Sequence, residues 1–105
     1  MQALKYEYGK EPEMVRVINT VDGIQKAIGG FFEVYRLSDD VALLCDGDGR
    51  LKQLPFTMSA VLPNYGLTSF CGPVLIVGLR RGNFVNLPEE KVNHIKQCIE
   101  YHHPV

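Results

Sequence analysis

Residues 28–55, IGGFFEVYRLSDDVALLCDGDGRLKQLP, decide the fold class of this chain. A diglycine that can stop a helix is followed by two apolar runs and an Asp-Gly-Asp-Gly segment, the pattern of a helix end feeding a β-hairpin. Both arms are apolar on alternate and intervening positions: Phe31, Phe32, Val34, Tyr35 and Leu37 in one, Val41 to Cys45 in the other. Such strands expect cover on both faces. Asp46 to Gly49 reads as a plain hairpin turn, with Leu51 to Leu54 extending the hairpin before Pro55 breaks it.

Working outward, Ala3 to Tyr8 and Met14 to Ile18 alternate apolar with polar residues around a Gly9–Glu13 turn, which predicts a first hairpin. Asn19 or Thr20 can cap a short helix over Val21–Ile28, with Val21, Ile24, Ala27 and Ile28 on one face. Phe56 to Phe70, rich in breakers around Pro63–Gly66, is expected to be a loop. Pro73 to Leu79, PVLIVGL, is a continuous apolar run suited to the sheet centre, and Arg80–Asn83 turns it into Phe84–Leu87. Pro88, Glu89 and Glu90 open a last helix running to about His102, with Val92, Ile95 and Ile99 as its buried stripe. The expected fold is α+β: a mostly antiparallel sheet of five or six strands with two helices, one internal and one C-terminal. The two helices are expected on one face, leaving the other to the 56–70 segment or to a second copy of the chain.

The 105 residues fit a single domain, 46% hydrophobic, large enough to bury a core without staples. Eleven basic and twelve acidic residues leave a net charge of −1. That balance disfavours general nucleic-acid binding, an anionic membrane as partner, and mimicry of DNA. Cys45, Cys71 and Cys98 are odd in number and widely spaced, as free thiols of a reducing compartment are, so the expected location is cytoplasmic. No stretch reaches the ~18 apolar residues of a membrane span.

Candidate chemistry is sparse. Asp46-Gly47-Asp48-Gly49 opens like a calcium loop, but Arg50 and Thr57 stand where oxygen ligands are required. His94, Cys98 and His102 recur every four residues, a spacing able to hold a metal, although His94 and His102 drift to different sides of the helix. Cys71, entering a strand beside Gly72, is the best-placed nucleophile, and no catalytic signature surrounds it. Gly29-Gly30 ends a helix, whereas a phosphate cradle begins one. No cofactor, metal site or catalytic residue is therefore expected. The candidate ligand site is an anion pocket drawn from Arg80 and Arg81 at a hairpin tip, Arg36, Arg50 and Lys52 around the central hairpin, and one nearby tyrosine, Tyr35 or Tyr65.

From Gly29 onward the order of features resembles a small bacterial and phage family filed as "domain of unknown function 3846". The shared elements are the acidic turn Asp46–Gly49, Leu54-Pro55, the Leu75–Gly78 strand, a short GNFVNL strand and a closing helix with an acidic start. Where family members continue after Leu-Pro with an Asn-Arg-type pair, this chain has Phe56-Thr57-Met58-Ser59. The resemblance implies a phage or mobile-element context and an accessory protein that acts by binding, as an inhibitor of host defence that sequesters a defence protein or an anionic signalling nucleotide. A homo-oligomer with pockets between subunits suits that role. Two alternatives stand beside it: a small enzyme using Cys71 or a His-Cys metal site, and a structural or assembly module.

Overall fold

The computed structural model describes residues 1–101, the last two by their backbone. Six strands form the main sheet: β1 (Gln2–Tyr6), β2 (Glu13–Arg16), β3 (Phe32–Ser38), β4 (Val41–Asp46), β7 (Val74–Arg80) and β8 (Asn83–Val85). Their order is β2-β1-β7-β4-β3, with β8 also on β7, and every pairing is antiparallel. The apolar run 73–79 is indeed central, and β4 is buried at all six positions. A second sheet, β6-β5-β9, contains β5 (Phe56–Leu62), β6 (Gly66–Cys71) and the short β9 (Glu100–Tyr101).

Alternation along the central strands sends side chains into two separate cores. Ala42, Leu44, Leu75 and Val77 point to one face and pack on Ile24 and Ile28 of α1 (Val21–Ile28). Val41, Leu43, Val74 and Ile76 point to the other, where Met58, Ala60, Leu62 and Phe70 of the small sheet meet Ile95 and Ile99 at α2 (Glu89–Cys98). The helices thus lie on opposite faces, not on one as the sequence reading had it. The central strands are apolar on both faces, so each face needs its own cover: α1 on one, the small sheet with α2 on the other.

Local chemistry fixes α1. Thr20 Oγ1 accepts from the Gly23 N–H at 3.0 Å, and Gly29, at φ 96°, turns the chain out while its N–H and that of Gly30 both donate to the Gln25 carbonyl. Asn19, the other residue considered for that cap, instead donates to the Phe84 carbonyl at 2.9 Å and ties the helix entrance to β8. Val21, expected on the buried stripe, is exposed.

The central hairpin has the arms expected of it, β3 and β4, closed by an Asp39-Asp40 turn with Ser38 paired to Val41. Three further expectations fail. Asp46–Gly49 is a turn, but it leads out of the main sheet, and 51–53 continues that turn instead of extending a strand. The segment 56–70 is not a loop: β5 and β6 pair through Met58–Phe70, Ser59–Ser69, Ala60–Thr68 and Val61–Leu67, around a Pro63–Tyr65 turn in which Asn64 takes φ 70°. Its core-facing side is Met58, Ala60 and Leu62, a period-2 pattern that Thr57 and Ser59 disguise. Finally, α2 stops at Cys98 and the chain straightens to pair with β5; His102 lies outside the described residues.

Candidate functional site

Two clefts open where the layers meet. The first, about 320 Å³, lies between β3–β4 and β6 at the end of β4. The turn after β4 builds its mouth. Asp46 Oδ1 accepts from the Asp48 N–H at 2.8 Å, and the Lys52, Gln53 and Leu54 amides bond back to Asp48, Arg50 and Gly49. Gly49 backs onto the Cys71 carbonyl so closely that any Cβ there would collide with it. Pinned in this way, the turn delivers Arg50 to β6, where its guanidinium donates to the Ser69 carbonyl at 3.2 Å.

Tyr35 forms one wall. Its ring meets Tyr65 and Phe70 edge-on at 5.6 and 5.7 Å, and its hydroxyl donates to Glu33 Oε2 at 2.7 Å. That bond, together with burial, pushes the phenol up to about 12. Cys45 on the floor is pushed to about 12 as well, by burial and then by the Glu33 and Asp46 carboxylates. It therefore stays a neutral thiol at physiological pH and is a poor nucleophile. The Ser59 and Ser69 hydroxyls are 3.0 Å apart beside the cleft.

Of the six residues expected to bind an anion, Tyr35 and Arg50 share this cleft. Lys52 is close in the chain but is turned away: its ammonium lies 2.8 Å from Asp46 Oδ2 and 3.4 Å from the Gly29 carbonyl, at the C-terminus of α1. Arg36 pairs with Ala42 and so belongs to the α1 face of β3, opposite Tyr35. Arg80 and Arg81 sit at the β7–β8 turn, with Arg81 at φ 52°. The register sets that turn beside Val41, at the far end of β4 from the cleft, about 17 Å away at the usual rise per residue. Glu33 and Ser69 were missed by the sequence reading. Ser69 was hidden in the supposed loop, and Glu33 is a polar residue between apolar ones on β3 with nothing local to mark it.

The second cleft, about 550 Å³, lies between α2, β5 and the β3–β4 turn and is mainly apolar, with Leu37, Val41, Ala60, Ile95 and Ile99. His94 and Cys98 stand at its rim, with Sγ 3.8 Å from Nε2. Two groups do not make a metal site, and no cluster of three His, Cys, Asp or Glu able to hold a metal occurs among the described residues. Asp40, also near this rim, pairs with Lys91 and accepts from Ser38 Oγ, and these contacts hold its carboxyl below the usual range. Cys71 lines the first cleft, half-buried. The Asp46 carboxylate is engaged by Lys52, so the Asp-Gly-Asp-Gly turn does not converge on a cation.

No helix among the described residues is long and apolar enough to cross a membrane. Comparison finds no curated protein and no solved structure that matches the chain. A family description does match, over residues 1–100. With nearly the whole chain matched, and with the hairpins, central strand and closing helix in the order the resemblance required, the chain belongs to the family described as Domain of unknown function (DUF3846).

Proposed function

We propose that this protein works by binding: it takes up a small anionic ligand of the nucleotide class in the inter-sheet cleft, with Arg50 as the anchor for its charge. The observation that carries this reading is the state of Arg50. Its guanidinium spends one donor on the Ser69 carbonyl, and no carboxylate pairs with it among the described residues. The nearby Lys52 is neutralised by Asp46, and Glu33 is occupied by the Tyr35 hydroxyl. A planar cation with unspent donors beside an aromatic wall suits a phosphate joined to a ring. At about 320 Å³ the cleft is near the lower end of small-molecule sites and suits a mononucleotide or one half of a dinucleotide.

Sequestration needs no catalytic group and acts by mass action, which agrees with a cleft whose floor thiol is held neutral. In an accessory protein of a phage or mobile element, such capture would deplete a host signal and so blunt defence. Native mass spectrometry and calorimetric titration with mononucleotides and cyclic dinucleotides test this. Binding by the wild type that weakens tenfold or more in Arg50→Ala, but not in Arg80→Ala/Arg81→Ala, supports the cleft. Equal affinity in Arg50→Ala removes it.

A further inference from the structure

Strand β3 ends the main sheet, and among the described residues its outer edge is unpaired over seven residues, whereas the opposite edge, β2, has four. Long open edges are usually blunted in a lone subunit. This one carries exposed Glu33 and Arg36, yet it is also bordered by exposed apolar side chains: Val34 in its middle, Phe31 at its start, Tyr65 against Tyr35, and Leu51 at the cleft mouth, the last 85% exposed. Clustered exposure of this kind marks an interaction surface.

We infer that β3 pairs antiparallel with β3 of a second copy, in a register centred on Val34. A twofold axis perpendicular to the sheet opposes only residues of the same face, so the centre must be a single residue. Centring on Glu33 or on Arg36 sets each against itself, like charge on like charge. With Tyr35 at the centre, Val34 faces Arg36 and Glu33 faces Leu37. Centring on Val34 sets valine against valine, Glu33 against Tyr35 of the second copy, and Phe32 against Arg36 of the second copy, the last a cation over a ring. The paired stretch 32–36 stops at the irregularity between Arg36 and Ser38, where the strand leaves regular geometry. The dimer goes beyond the ligand reading and is separable from it: Tyr35 and Glu33 would bring the two clefts to the subunit junction, yet a monomer can still bind at Arg50.

Sedimentation equilibrium of the full chain over a wide concentration range tests the pairing. The expected wild-type species has twice the 11.8 kDa chain mass. Val34→Lys, at an outward position that leaves the circular dichroism unchanged, is expected to lose the dimer. Val34→Cys is expected to form, under mild oxidation, an interchain disulfide that peptide mapping places at position 34 of both chains. A wild-type monomer throughout, as a peptide-binding edge would give, overturns the inference. So does a dimer that persists in a folded Val34→Lys variant, or a Val34→Cys crosslink that maps elsewhere.

Discussion

Removing the Lys52 side chain tests how the turn after β4 is held. The Asp46 side chain is 1% exposed and that of Lys52 41%, with 2.8 Å between their charged atoms. In Lys52→Ala the carboxylate keeps the Asp48 N–H on Oδ1 but loses its cation, and the α1 C-terminus loses a weaker contact to the Gly29 carbonyl. A charge-assisted hydrogen bond contributes about 1.5–3 kcal/mol, and stranding a fully buried charge costs about 3–5 kcal/mol. Because the lysine's departure opens a path for water, the lower range applies, and we expect a loss of about 2 kcal/mol. For a chain of this length that lowers Tm by about 10 °C. Urea unfolding followed by circular dichroism should show an earlier midpoint at unchanged slope. Adding Asp46→Asn should then recover about 1 kcal/mol, since the stranded charge is gone while an acceptor for Asp48 remains. A single variant within ~0.5 kcal/mol of wild type, or a double variant whose losses simply add, would refute the buried-pair reasoning.

Three further outcomes follow from the packing. Thiol labelling at neutral pH should modify exposed Cys98 first, half-buried Cys71 more slowly and Cys45 only on unfolding, a sequence readable by mass spectrometry of timed samples. Tyr35 and Cys45 both hold their protons more tightly when folded, rising from 10.0 and 9.0 to about 12. The stability they add is fully present below pH 9 and lost as pH rises through about 12, so urea midpoints should fall on the alkaline side, and a midpoint flat to pH 11.5 would contradict the assignment. Gly78 in β7 packs where a Cβ would collide with the Asn86 carbonyl and press on Val85. Gly78→Ala should therefore cost about 1–3 kcal/mol, measured by the same unfolding curves; a neutral substitution would show that β8 can give way.

The reading of 56–70 as a loop shows where sequence patterning fails. Phe56 and Val61 are exposed, Thr57 and Ser59 are buried, and the apolar period survives only at Met58, Ala60 and Leu62. Thr57 is tolerated inside because its hydroxyl donates to the Gly72 carbonyl at 2.6 Å, and Ser59 because it meets Ser69. Such compensation is invisible until the partners are in place. The Asp46–Gly49 turn failed differently: its residues announce a turn, but the direction of the exiting chain depends on Gly49 seating against Cys71, 22 positions later.

By itself the sequence determined what is local or periodic. A cap at Asn19 or Thr20 and the Gly29 stop of α1, the first hairpin, the central place of the 73–79 run and the acidic start of α2 are each written within a few residues, because capping, turn chemistry and strand alternation act at that range. Only the tertiary structure decided that the helices take opposite faces, that the 56–70 strands close the second core, and that Arg50 and Tyr35 line one cleft while Arg36, Lys52, Arg80 and Arg81 go elsewhere. Those outcomes depend on which apolar surfaces find each other across long separations. Burial is non-directional, so only the complete set of layers fixes where each charged side chain is left.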